Sequence, residues 1–315
     1  MKRVLLCITF LLSVAFLSAV TFKETWGYVM ADRYTEFKAD MPITDLCFFG
    51  AEINCYGELI EPKNFEKLPQ EYKGRKHLVA VCDSTALSHF VIDSKYGITN
   101  KLITSLVKAA EKYDGLQIDF ELIPKKDMKN FHMFMKILRK KLGKKKMLSV
   151  CVPARLKDIT DDVYDYAKLS EYVDRVFIMA YDEHWSTSAP GPIAGMEWSM
   201  KILEYAKSKI PEEKLVFGIP FYGRSWQNEG YGKAWYRSGI ERIKKENKIK
   251  EKSINRKDGI PYFKFDKKIT VTAYYDDTES ILLRCKKIKE KEVNKIGFWR
   301  IGQEDPEVWQ KITVK

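Results

Sequence analysis

Gln117, Asp119 and Glu121 stand at alternate positions in the run Tyr113-Asp114-Gly115-Leu116-Gln117-Ile118-Asp119-Phe120-Glu121. Alternate residues of a β-strand share a face. The spacing therefore predicts a strand with a polar column on one side and Leu116, Ile118 and Phe120 on the other. Burial accounts for the apolar face. It does not account for neighbouring carboxylates, which repel one another and lose hydration when buried. Such a pair separates in acidity: one carboxyl stays protonated and can donate, while the other ionises and can stabilise positive charge. The chemistry this column suits is general acid–base catalysis.

A column of this kind needs a scaffold that holds it at a strand end. Short apolar runs that read as strands recur at Trp26–Met30, Leu46–Phe49, Leu78–Val81, Leu116–Phe120, Leu148–Val152, Val176–Ala180, Leu215–Pro220 and Ile296–Trp299. Most are separated by apolar residues at helical spacing: Ile103, Leu106, Val107 and Ala110; Phe131, Phe134, Ile137, Leu138 and Leu142; Ile202, Leu203 and Ala206, ending before Pro211. Strands alternating with helices predict parallel pairing and an α/β fold, a (β/α)8 TIM barrel over residues 23–315. A doubly wound open sheet is the alternative, but no glycine-rich loop follows the first strand. A small insertion is expected between the seventh strand and the last helix, over residues 225–273. Within it Tyr262, Phe263 and Phe265 read as a hairpin. The last helix should begin near Asp277.

In such a barrel the site lies at the C-terminal strand ends. The third strand ends in Asp83, the fourth in Asp119-x-Glu121 and the fifth at Pro153-Ala154-Arg155. The sixth ends in Met179-Ala180-Tyr181-Asp182, the seventh runs on to Tyr222-Gly223-Arg224, and the eighth ends in Trp299-Arg300. Acids and aromatic rings gathered at one mouth suit a sugar: carboxylates for the chemistry, flat rings for the pyranose face.

With these residues in view, the chain resembles glycoside hydrolase family 18, the family of chitinases and related N-acetylglucosaminidases. Asp114-Gly115-Leu116-Gln117-Ile118-Asp119-Phe120-Glu121 matches its fourth-strand signature, Asp-Gly-x-x-x-Asp-x-Glu. Met179-Ala180-Tyr181-Asp182 matches its sixth-strand motif, and Trp299 its eighth-strand tryptophan. The resemblance spans about Thr25 to Trp309.

The resemblance implies a retaining, substrate-assisted glycosidase without an enzyme nucleophile. It assigns Glu121 as acid and then base, Asp119 to the substrate acetamido N–H, and Tyr181 to the acetamido oxygen. Gln117, Asp182, Tyr222, Arg224 and Trp299 become substrate contacts, with Gln117 also able to hydrogen-bond Asp119. The chain departs from the chitinases in two places. Gln117 stands where they usually carry Asp, and Val79-Ala80-Val81-Cys82-Asp83-Ser84 replaces a Ser-x-Gly-Gly motif. Both departures resemble the spore-cortex and cell-wall branch of the family. Peptidoglycan is therefore the expected substrate, with chitin or chitooligosaccharides as the alternative. The insertion reads as too short for the α+β domain of processive chitinases, which implies a shallower groove. A non-catalytic sugar-binding barrel is a competing class, but such members usually lose the acid, which this chain keeps.

Composition narrows the field. The 315 residues carry a formal net charge of +12, much of it in Lys140-Lys141, Lys144-Lys145-Lys146 and Lys286-Lys287. Few aromatics interleave with these runs, which argues against nucleic acid and for a solvated surface or attraction to an anionic wall. A metal-dependent barrel is a further class, but four histidines give no evident ligand shell. No metal and no cofactor are expected, and a monomer is. Lys2 and Arg3 precede the apolar run Val4–Val20, which predicts a secretory signal or an uncleaved membrane anchor within residues 1–22 and an exported protein. Ala19 is a fair residue to cut after. Beyond Cys7 there remain Cys47, Cys55, Cys82, Cys151 and Cys285, with no CxxC pair. Cys47, Cys82 and Cys151 read as small buried hydrophobes, and one disulfide is compatible with export.

Overall fold

The computed structural model describes residues 19–228, 230–266 and 269–315. Eight parallel strands close into a barrel: β1 (Glu24–Met30), β2 (Asp45–Ile53), β3 (Arg75–Cys82), β4 (Gly115–Phe120), β5 (Met147–Pro153), β6 (Arg175–Met179), β7 (Leu215–Pro220) and β8 (Lys295–Trp299). Each strand pairs with its neighbours in sequence, and β8 returns to β1. All eight expected strands are present; β7 has the expected bounds, and the others differ from their apolar runs at one or both ends.

The helices begin and end where side chains can satisfy them. Ser84 caps α1 (Thr85–Ile92) through Leu87 N–H, and Gly143, whose φ of 73° suits glycine, follows α3 (Met128–Leu142). Asp277 and Ser280 form a reciprocal capping box on α7 (Thr278–Glu290). The remaining barrel helices are α2 (Thr99–Ala109), α4 (Tyr166–Ser170) and α5 (Met196–Lys209), and α6 (Arg237–Glu246) lies in the insertion.

Two expectations need correction. Val20–Phe22, placed in a leader of 22 residues, forms a strand parallel to Ile312–Val314, with Phe22 buried. Its apolar side chains find a barrel surface to cover, so the fold starts at least as early as Val20. The rest of the leader or anchor reading, residues 1–18, lies outside the described residues. Among the described residues, no helix is long and apolar enough to cross a membrane.

The insertion is more than a hairpin. Five antiparallel strands, ordered Lys233–Trp235, Gly223–Gln227, Thr270–Tyr274, Ile260–Asp266 and Asn255–Lys257, form a sheet with α6 against it. Ile240, Phe263, Ala273 and Tyr275 make its small core, and Tyr262 stacks on Tyr274 at 4.7 Å. The segment is thus long enough for an α+β unit. The Lys-rich stretch hid a helix because only Ile240 of α6 is buried. Asp258 of this unit accepts a 2.7 Å hydrogen bond from Glu197 N–H at the start of α5, tying insertion to barrel. Among the described residues the five cysteines are free, four of them buried, so the disulfide that export would have allowed is not formed.

The barrel interior is layered. At the base, Arg75 and His77 bond Asp45 at 2.6 and 2.8 Å, and Arg175 bonds Glu24. Burial alone would raise the Asp45 carboxyl, but the bonds from His77 and Arg75 hold it below the usual range. Above lie Trp26, Cys47 and Phe177. Gly297 is required there, since a Cβ would meet the Phe177 ring at 2.1 Å.

Outside the barrel, Arg284 of α7 is fully buried and donates to Ser199 of α5 at 2.6 Å and to Asp276 at 3.1 Å. Removing one member of a buried pair leaves the other charge uncompensated. Arg284→Met should lower unfolding free energy by about 3–5 kcal/mol in urea titration at neutral pH. Adding Asp276→Leu should recover a large part of that loss. A purely additive double variant would show that the two charges are not coupled.

Candidate active site

The strand ends surround a cleft of about 720 Å³. Strand β4 delivers the acids by the predicted alternation. Leu116, Ile118 and Phe120 face outward, where Phe120 stacks on Phe134 of α3 at 5.5 Å. Gln117 and Asp119 face the lumen, and Glu121 follows the last strand residue. Asp119, Glu121, Tyr181, Asp182 and Trp299 all line the cleft.

Asp119 is 4% exposed, and its Oδ1 has no hydrogen-bond partner. Burial, reinforced by the charges of Glu121 and Asp83 and opposed by the Cys151 thiol, pushes it up to about 7. Glu121 is raised by burial and then by Asp83 and Asp182. Its side chain reaches the cleft surface, yet enough protein surrounds the carboxyl to strip much of its water. Tyr181 is raised well above the usual phenol range, chiefly by burial. Its hydroxyl is therefore a protonated donor near neutrality. Two raised carboxyls and a neutral phenol in one cleft can protonate a leaving oxygen and hold an amide.

Trp299 is wedged by Phe49 at 4.8 Å and Tyr28 at 5.3 Å between ring centroids, which leaves the indole at the cleft floor. Behind it and Tyr181 pack Tyr222, Trp226 and Tyr274 of the insertion sheet and its approach.

Three expected sugar contacts sit elsewhere. Gln117 is fully buried beneath the cleft: Tyr28 hydroxyl donates to its Oε1 at 2.5 Å, and its amide donates to Ser149 Oγ at 3.1 Å. Both ends are thus engaged, and it does not bond Asp119. The lumen is closed at that height, so an amide there must satisfy itself within the barrel. Tyr222 and Arg224 do not line the cleft. They hold Asp182, donating to its Oδ1 at 2.7 and 3.1 Å. Asp182 has a φ of 58°, an unusual backbone for a residue other than glycine, and these two bonds hold its carboxylate there.

The sequence reading passed over Glu52, Tyr28 and Cys151, which line the same cleft, and left Asp83 out of the site although it was visible at a strand end. Tyr28 follows Trp26 by two in the first strand run, so the inward alternation was readable. Glu52 was not, because β2 continues past its apolar run through an irregularity between Phe49 and Ala51.

Comparison with known proteins agrees with this geometry. Residues 31–304 match the family described as Glycosyl hydrolases family 18. The uncharacterized glycosylase YvbX of Bacillus subtilis is 29% identical over 228 residues, covering 70% of this chain and 65% of that protein. The cortical fragment-lytic enzyme of Bacillus anthracis is 25% identical over 293 residues, covering 85% and 67%. The chain thus spans about two thirds of the length of these relatives. The crystal structure of the Bacillus cereus spore cortex-lytic enzyme SleL superposes with a TM-score of 0.83 at 22% identity, over 95% of this chain and 76% of that one. A chitinase from Cycas revoluta, solved with (GlcNAc)4, shares the fold with a TM-score of 0.74 at 21% identity, over 91% and 98%. With the barrel closed, the fourth-strand acids in its mouth and the family match running through nearly all of the described chain, the protein belongs to the glycosyl hydrolases of family 18.

Proposed function

We propose that this chain is an exported hydrolase of β-1,4-linked polymers containing N-acetylglucosamine, with peptidoglycan as its substrate. One observation carries the reading: Asp119 and Glu121 lie at the end of a single strand, both raised in pKa, in one cleft with Tyr181 and over Trp299. Kinship with cortical fragment-lytic enzymes favours peptidoglycan. The fold shared with solved chitinases supports chitooligosaccharides as the second reading.

In this mechanism Glu121 gives its proton to the glycosidic oxygen as the bond to the anomeric carbon breaks. The acetamido oxygen of the same sugar bonds that carbon from the other face. Asp119, ionised, takes the acetamido N–H and balances the charge of the oxazolinium. Tyr181 donates to the acetamido oxygen and holds it in line. Trp299 supports the ring and keeps water from that face. Glu121, now a carboxylate, draws a proton from the water that opens the oxazolinium, and the configuration is retained. Asp182, fixed by Tyr222 and Arg224, bonds a sugar hydroxyl.

Two measurements test this. Purified peptidoglycan is digested with wild type and with Glu121→Gln, and the fragments are read by mass spectrometry. Wild type should release new N-acetylglucosamine reducing ends, and the variant should be slower by roughly a hundredfold to ten-thousandfold. Equal release by both proteins would remove Glu121 from the mechanism. No release, with chitooligosaccharides also uncut, would favour a sugar-binding barrel.

The second concerns Asp119. Its folded pKa of about 7 lies above its ordinary value of 3.8. The unfolded chain therefore ionises first as pH rises. The stability linked to this group is intact below about pH 4 and is lost as pH climbs toward 7. Asp119→Asn does not titrate, so its melting temperature should gain on wild type between pH 4 and about pH 7 and level off above that. The ceiling is on the order of 4 kcal/mol. A difference that is flat across this range would mean that Asp119 is not held against its own charge.

A further inference from the structure

The segment that follows β4 has to place Glu121 and then leave the barrel sharply. The ladder between β4 and β5 ends at Ile118–Val150, two residues before Phe120. Backbone groups beyond that point need other partners. Glu121 N–H finds one in the carbonyl of Cys82 on β3, at 2.7 Å. Leu122, next in the chain, has a φ of 55°, a left-handed backbone that costs a leucine energy and persists only where its surroundings impose it. Its side chain is 60% exposed, so packing of the side chain does not impose it.

Beside the Cys82 bond, one hydroxyl bridges this segment. Tyr164 Oη donates to the carbonyl of Phe120 at 2.9 Å and accepts the N–H of Ile123 at 3.2 Å. Glu121 and Leu122 are the two residues enclosed between those peptide groups. Tyr164 is itself held. It is buried, and its ring packs on Phe131 of α3 at 6.2 Å. Its N–H donates to Asp162 at 3.1 Å, and Asp162 is gripped by Arg155 through two bonds of 2.7 and 3.0 Å. Burial pushes the phenol up to about 12, so the hydroxyl keeps its proton and both of its bonds near neutral pH.

The geometry points to Tyr164 as a positioning residue for Glu121: its hydroxyl clasps the carbonyl before the acid and the N–H after Leu122, and so fixes the height and direction of the Glu121 carboxyl at the mouth. The inference rests on the proposed role of Glu121 as the acid. It adds that the loop between β5 and α4, which supplies no group to the chemistry, sets the acid's aim. Arg155 then has a place as the outer support of Tyr164, although it does not line the cleft.

The test compares wild type with Tyr164→Phe, which keeps the ring and removes the clasp. Tyr166→Phe is the control, since it deletes a nearby hydroxyl, at the start of α4, that bonds the Pro153 carbonyl instead. Two quantities are read: steady-state cleavage of the peptidoglycan substrate, and amide hydrogen exchange at Ile123. In Tyr164→Phe, kcat should fall roughly ten- to a hundredfold while KM stays within about threefold, as expected for a misaimed acid rather than lost binding. Exchange at Ile123 should speed up by about tenfold or more in that variant and stay unchanged in Tyr166→Phe. Unchanged exchange at Ile123 in Tyr164→Phe would overturn the clasp. Faster exchange with kcat within twofold of wild type would overturn its role in positioning. An inactive wild type would sink the proposed function and the positioning role with it, while the exchange measurement would still decide whether the clasp exists.

Discussion

Polar groups inside a closed barrel cannot reach water, and each one must find its partner across the lumen or remain strained. That constraint orders this structure from base to mouth. At the base, Glu24 is matched to Arg175, and Asp45 to Arg75 and His77. In the middle, Gln117 closes a short network with Tyr28 and Ser149. Only at the top does a lumen carboxylate of β4 remain with an oxygen unpartnered, at Asp119 Oδ1. In the layers beneath, the carboxylates and Gln117 are partnered and His77 Nδ1 alone is not, so the cost of burying charge falls on the residue that faces the cleft.

The same constraint explains what the sequence could and could not tell. Every barrel strand was legible because the outward face of a parallel strand is a run of apolar residues, and the two-residue period of β4 gave the direction of Asp119 without further information. Glu121, Tyr181, Asp182 and Trp299 were legible as strand-end residues, and the cleft collects all four. The role of Gln117 was not legible, because alternation gives the face of a side chain and not its depth. One step of the strand, about 7 Å over two residues, separates the cleft floor from the closed lumen. Tyr222 and Arg224 were found as residues near the mouth, but their partner is Asp182 and not open space. The insertion was read as a hairpin because its helix buries one residue on an otherwise charged surface, leaving too faint a periodic signal.

Stability and chemistry pull against each other at the mouth. Glu121 is raised by burial and by two neighbouring acids, and Asp119 by burial and by Glu121 itself. A fold optimised for stability would not gather these groups, and within the cleft the Cys151 thiol offsets only part of the rise at Asp119. Among the described residues, five carboxylates line it (Glu52, Asp83, Asp119, Glu121 and Asp182) and no lysine, arginine or histidine does. Burial is the larger cause and the charges of Asp83, Asp182 and Glu121 add to it, and together they shift Glu121 and Asp119 toward their protonated forms. The insertion sheet contributes by packing behind Tyr181 and Trp299 rather than by adding charge.

This local field has the opposite sign to the whole molecule, which carries a formal net charge of +12. Part of that positive charge lies far from the cleft. Lys144, Lys145 and Lys146 immediately precede β5, at the end of the barrel away from the mouth. A strand of about six residues spans roughly 20 Å, around two Debye lengths at physiological ionic strength. Across that distance exposed lysines barely alter the acidity of Glu121, whereas Asp83 and Asp182 beside it do. The lysines at the base of the barrel and the acids of the cleft are therefore electrostatically separate features of the molecule. The acidic cleft could not be inferred from the net charge of the chain, which sums regions of opposite sign.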